Sequence, residues 1–176
     1  LINIQQTRIK PNNSEIEFSA VDLFFMEDDG SSWRVQKMYE PYFYVMDPFP
    51  LLSKYEEHPK VRRIERVTKI DTSKGERLGY RIRFANVDDL KKIREELQKE
   101  KGLELREYDV PYYERFCLDF DVRVGLWYNI KNVNGNITLE VDKKKEAPPQ
   151  PRVVAFDIEC SKEPLMFPNP ETDQIM

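Results

Sequence analysis

Histidine and cysteine are nearly missing from this chain, which holds one His and two Cys in 176 residues. Cys117 and Cys160 lie far apart in the sequence and fit neither a metal-ligand spacing nor a disulfide framework, so free thiols in a reducing compartment are expected. The lone His58 falls in the polar stretch Glu56-Glu57-His58-Pro59-Lys60 and reads as a solvated loop residue rather than a catalyst. Long apolar runs are absent as well, which excludes a recognisable signal peptide or membrane-spanning helix. Surplus positive charge is also lacking. With a net charge of -4, binding of nucleic acid by bulk polycation attraction is excluded, and any such binding must come from a local patch. Asn12-Asn13-Ser14 and Asn136-Ile137-Thr138 match the glycosylation pattern but, without a secretion signal, read as chance. No internal repeat is evident.

What is present is a globular balance of 40% hydrophobic and 34% charged residues with a generous 12% aromatic share. Such a chain can hold one good core plus part of a second, or one elaborated domain. It opens on Leu1, inside the strand-like run Leu1-Ile2-Asn3-Ile4, and stops at Gln174-Ile175-Met176, where an apolar segment begins. The expectation is a piece of a longer polypeptide.

The first third reads as β-structure. Residues 16–25 form a strand, Asp28-Asp29-Gly30-Ser31 a turn, and Trp33-Arg34-Val35-Gln36-Lys37 the returning strand of a hairpin. Tyr42 to Met46 reads as a strand and Pro50 to Glu57 as a short helix. Val61 to Lys69 and Leu78 to Phe84 are two more strands around the turn Asp71-Thr72-Ser73-Lys74-Gly75. Val87 to Lys101 has Leu90, Ile93 and Leu97 at helical spacing, with Asn86 as N-cap. Leu103 to Glu107 closes the series as a strand. This β-α-β-β-α-β order is that of a ferredoxin-like unit spanning residues 41–108, four strands under two helices. A short helix with Pro111 at its first position follows. A second hairpin comes next, from Val122 to Asn129 and Ile137 to Val141, around Asn134-Gly135. Residues 143–151, charged and proline-rich, read as a linker with nothing to bury. A domain boundary is expected there, between 1–151 and 152–176.

Beyond it, Val153-Val154-Ala155-Phe156-Asp157-Ile158-Glu159-Cys160 carries two acids two residues apart in an apolar, β-branched run. On a strand Asp157 and Glu159 project from one face, Phe156 and Ile158 from the other. Two converging carboxylates repel and lose solvation, and a divalent cation with oxygen ligands is a natural compensation. A strand whose acids simply face water meets the same pattern.

A basic stretch runs from Lys60 to Arg83, with Arg62, Arg63, Arg66, Lys69, Lys74, Arg77 and Arg81 between them. Arg81 and Arg83 share one strand face; Tyr80, Ile82 and Phe84 share the other. Base stacking, phosphate tracking and a merely solvated basic face are all compatible with this pattern. The run Tyr39-Glu40-Pro41-Tyr42-Phe43-Tyr44 reads as core or interface rather than a reader of ligands.

Phe156-Asp157-Ile158-Glu159-Cys160, followed by Phe167-Pro168 and Asp173-Gln174-Ile175-Met176, resembles the first exonuclease motif of family B DNA polymerases. Arg106-Glu107-Tyr108-Asp109-Val110-Pro111-Tyr112 is similar to the segment that precedes that motif. Ser19-Ala20-Val21-Asp22 with Asp28-Asp29-Gly30-Ser31, then Pro41-Tyr42-Phe43-Tyr44, and Pro164-Leu165-Met166-Phe167-Pro168 with Glu171-Thr172-Asp173 resemble the eukaryotic leading-strand branch of that family. Cys160 instead resembles the delta-type branch, and the segment between Lys99 and Leu105 is much shorter than the leading-strand branch leads one to expect.

The expected fold is α+β, with β-hairpins around the ferredoxin-like unit, and the resemblance adds the opening strand of a truncated, RNase H-like 3′–5′ exonuclease domain. It implies that Asp157 and Glu159 are ligands of a two-metal Mg²⁺ site, with cations ~4 Å apart activating water and stabilising the leaving oxygen. Asp157 would bridge both ions, and Glu159 would hold the one carrying the nucleophilic water. The further acids of that site, and all polymerase-site aspartates, are missing from these residues, so the fragment is expected to be inactive alone. DNA template-primer, further polymerase subunits, replisome proteins and a nuclear location are implied for the parent. Arg62, Arg63, Arg66, Arg81 and Arg83 are the expected nucleic-acid contacts.

Overall fold

The computed structural model describes residues 1–12, 14–46, 52–133 and 136–150, together with positions 155, 169 and 171. Asp157, Glu159, Cys160 and the Asn134-Gly135 turn lie outside the described residues. The class is mixed α and β, dominated by sheet. Nine strands and two α-helices are described: β1 Asn3–Ile9, β2 Phe18–Met26, β3 Ser32–Met38, β4 Tyr42–Met46, β5 Val61–Asp71, β6 Gly75–Phe84, α1 Val87–Leu97, β7 Glu104–Arg106, α2 Tyr112–Phe120, β8 Tyr128–Val133 and β9 Asn136–Val141. No described helix is long and apolar enough to cross a membrane.

Three antiparallel sheets result, ordered β1-β2-β3, β5-β6-β4-β7 and β8-β9. The central β2 of the first sheet is apolar on almost every position and buried along most of its length, whereas the edge strand β3 buries only Val35. The second sheet feeds two cores because side chains alternate across it. Phe43 and Val45 of β4 join Tyr80, Ile82 and Phe84 of β6 and Ile93 and Leu97 of α1. Tyr42, Tyr44 and Met46 face the other way, into a core with Val21, Leu23, Val35, Tyr112 and Phe116. Each fully buried side chain of this kind contributes about 1.5–3 kcal/mol against exposure. Gly79 of β6 lies under Met46, where an added Cβ would come within 2.7 Å of its Sδ.

The capping expectation for α1 holds. The Asn86 side chain accepts a hydrogen bond from the Asp89 amide at 2.9 Å and donates one to the Glu17 carbonyl at 3.1 Å. Ser19 Oγ accepts from the Val87 amide at 3.0 Å, so the helix start is bound to β2.

Other boundaries differ from the sequence reading. The helix expected over Pro50–Glu57 is, among the described residues, a single 3₁₀ turn, Ser53–Tyr55, flanked by buried Leu52. Leu52 and Tyr55 stand three apart, the repeat of a 3₁₀ turn. Helix α1 stops at Leu97 rather than Lys101 because Lys99 and Glu100 bond back only three residues, to Glu96 and Leu97. Pro111 is the N-cap of α2, in an extended conformation, and not its first helical residue. Strand β8 starts at Tyr128, since the chain before it turns at Gly125, whose φ is 87° and whose amide donates to the Leu1 carbonyl. Residues 143–150, expected to bury nothing, are anchored. Trp127 Nε1 donates to the Ala147 carbonyl at 2.7 Å, Lys145 pairs with Asp28 and lies over the Trp127 ring, and Pro149 is buried.

Candidate nucleic-acid interface

Strands β5 and β6 pair over ten positions and carry the basic stretch. The register places Tyr42 opposite Arg83 and Tyr44 opposite Arg81, so both arginines share a face with both tyrosines. Arg81 and Arg83 guanidinium carbons lie 5.4 and 5.0 Å from the Tyr42 ring centre, within cation–π range. Tyr80 and Phe84, the aromatics of the opposite face, share the core of α1 and are buried.

Glu65 is the hub of this face. Its carboxylate lies 3.1 Å from Arg63 Nε, 3.0 Å from Arg81 Nε and 3.0 Å from Arg83 Nε. Burial pushes the Glu65 carboxyl pKa up, but the three guanidiniums outweigh it and hold the group below the usual carboxylate range. Only Arg83 makes a hydrogen bond in this set; Arg81 Nε is buried and in close charge contact, but out of line for one. Glu40 lies 3.3 Å from Arg63 and 3.8 Å from Arg62. Arg66 is exposed, with no ion pair among the described residues. Farther along, Lys69 meets Glu107 at 2.8 Å and Arg77 meets Glu104 at 2.9 Å. The stretch is thus a laced network rather than a row of free cations, with Arg62 and Arg63 solvent-facing on this side, whereas Arg66 pairs opposite Tyr80 and projects from the other face of the sheet.

The sequence reading did not foresee a cavity of about 300 Å³ beside this face, walled by Pro41, Tyr42, Arg94, Tyr108, Tyr112 and Arg115 among others. Arg94 and Arg115 each bring a buried Nε without a hydrogen-bond partner. Arg115 is held by Glu107, 2.6 Å away, and lies over the Tyr42 ring. Glu107 adopts φ 56°, a left-handed backbone unusual for this residue, at the bend between β7 and α2. Burial pushes its carboxyl pKa up, but Lys69 and Arg115 hold it below the usual range. Burial raises the phenols of Tyr42 and Tyr112 well above the ordinary tyrosine range, so both are neutral donors. The only signal in the sequence was the tyrosine run at 39–44, read as core, which Tyr39 and Tyr42 are. Arg94 and Arg115 come from two helices and could not be paired by spacing.

Among the described residues no group of three or more His, Cys, Asp or Glu is arranged to hold a metal ion.

The chain matches a family model described as DNA polymerase family B, exonuclease domain, over residues 103–176. The DNA polymerase epsilon catalytic subunit of Emericella nidulans is 33% identical over the whole chain, which covers 9% of that protein. One of the DNA polymerase epsilon catalytic subunits of Arabidopsis thaliana is 32% identical over 90% of the chain, again 9% of the relative. The chain therefore spans about a tenth of the length of these relatives. A family B DNA polymerase from the archaeon Pyrobaculum calidifontis superposes with a TM-score of 0.68 over 99% of the chain and 24% of its own, at 22% identity, a likeness of fold.

Proposed function

This chain belongs to the family B DNA polymerases, and we propose that it is the N-terminal part of a replicative, epsilon-type catalytic subunit that copies a DNA template and proofreads it. The observation that carries this reading is the alignment of the entire chain, end to end, with the epsilon catalytic subunit. The alternatives, a free-standing single-strand-binding module and the delta-type paralogue, have no comparable support.

In this reading residues 41–108 are a ferredoxin-like unit. The all-antiparallel order β5-β6-β4-β7 supports it, because it sets the unit's first strand between its third and its last, with the second at the outer edge beside the third. The body ends near residue 151, and 152–176 open the exonuclease. Asp157 and Glu159 are ligands for Mg²⁺, which would supply the activated water of phosphodiester hydrolysis. Arg62 and Arg63, backed by Arg81 and Arg83, track template phosphates, and Arg66 adds a contact from the other face of β5. Template-primer DNA, other epsilon subunits and replisome proteins are the partners, and the nucleus is the compartment. The 176 residues alone neither extend nor cleave DNA.

Two assays test the reading. In the full-length polypeptide, Asp157→Ala should abolish 3′–5′ degradation of a labelled primer while leaving its extension intact. Unimpaired degradation, or turnover of DNA by the 176-residue chain itself, would contradict it.

A further inference from the structure

Four guanidiniums of the β5–β6 face, Arg62, Arg63, Arg81 and Arg83, are served by two carboxylates, Glu40 and Glu65. Two positive charges are left unmatched on one small area. The imbalance is greatest at Glu65, where one carboxylate faces three guanidiniums and a hydrogen bond forms with only one of two half-buried partners, Arg83 but not Arg81. Behind them, the Tyr42 ring contacts Arg81 and Arg83 and keeps them side by side without neutralising them. Toward solvent the group opens through Arg62 and Arg63, which are 43% and 56% exposed.

Like-charged groups held this close repel, so the fold needs an anion at their centre. A phosphodiester has the same donor requirements as a carboxylate, with the tetrahedral oxygens and fixed charge that guanidinium forks fit well. We infer that Glu65 is a resident stand-in for phosphate, occupying the anion position of an arginine cage that takes a backbone phosphodiester of single-stranded DNA. The carboxylate keeps the cage assembled when no strand is bound and competes with the strand for the same guanidiniums. Glu65 thereby limits affinity, which lets a template pass rather than stay. This deepens the template reading above and rests on it.

The test uses the 176-residue chain, a fluorescein-labelled single strand and anisotropy at several salt concentrations. Glu65→Gln should tighten binding several-fold and steepen the logarithmic salt dependence by about one. Adding Arg63→Ala to Glu65→Gln should cancel the gain. Unchanged or weakened binding by a folded Glu65→Gln chain overturns the inference. If that variant unfolds in chloride buffer, inorganic phosphate provides the second arm. Phosphate should restore its folding, read as Tm, and raise the Tm of the parent chain far less; failure of phosphate to restore it overturns the inference. The template reading is judged separately. If Arg62→Ala and Arg66→Ala weaken the parent chain's binding while Glu65→Gln changes nothing, the cage fails and the template reading stands. If no variant changes binding, both fail.

Discussion

Asp119 on α2 accepts the Tyr42 hydroxyl at 2.8 Å and, with the same carboxylate, the Tyr39 hydroxyl at 2.5 Å. One acid thus ties the β3–β4 junction to a helix 77 residues farther along the chain. Asp119→Ala leaves both phenols without their acceptor and should cost about 1–3 kcal/mol. In the Tyr39→Phe, Tyr42→Phe background the same substitution should be nearly silent. Urea titration of the four chains closes this cycle.

Burial separates two leucine-like positions on the helices. Ile93→Ala, at a fully buried site under β6, should cost about 2–5 kcal/mol. Leu118→Ala, at a site 69% exposed, should stay within about 0.5 kcal/mol. Chemical denaturation of both variants checks the assignment of the second core to α1.

Asn86 caps α1 and also bonds to the Glu17 carbonyl, just ahead of β2. Asn86→Ala should cost roughly 1 kcal/mol or more. Asn86→Ser keeps a cap acceptor and loses the amide donors to Glu17 and to the Asp89 carboxylate, so it should cost less. The reverse order would mean that the cap matters less than the amide's bonds to Glu17 and Asp89.

The arginine-held carboxylates predict an acid-side loss of stability. Glu65 and Glu107 both have folded pKa values below the reference 4.5. A depressed carboxyl stabilises the fold above its unfolded pKa, and that contribution is lost as pH falls through the folded value. The urea midpoint should therefore decline as pH drops below about 4.5. Glu107→Gln should flatten part of that decline. An unaltered profile in the variant would remove Glu107 from the account.

The parts of this fold that were legible in the sequence are those whose signal is local. Strand β4 shows in its β-rich run, and α1 in Leu90, Ile93 and Leu97 behind an Asn cap. Alternation correctly put Arg81 and Arg83 opposite Tyr80, Ile82 and Phe84. It could not say what lies over the arginines, because Tyr42, Tyr44 and Glu65 arrive from two other strands. The anchoring of residues 143–150 was equally hidden: composition marks a linker, but Trp127 and Asp28 meet it from distant turns. The cavity beside Tyr42 needs Arg94 and Arg115 from separate helices, a juxtaposition that tertiary packing alone creates.

The central claim is that the solvent-facing arginines of β5 hold template DNA. Single-strand binding by the 176-residue chain, measured by anisotropy at two salt concentrations, tests it most directly when compared with the triple variant Arg62→Ala, Arg63→Ala, Arg66→Ala. The account predicts salt-sensitive binding by the parent chain, weakened alike for all strand sequences in the variant, with a salt slope shallower by up to about three. Equal affinity and equal slope in the two chains would contradict it.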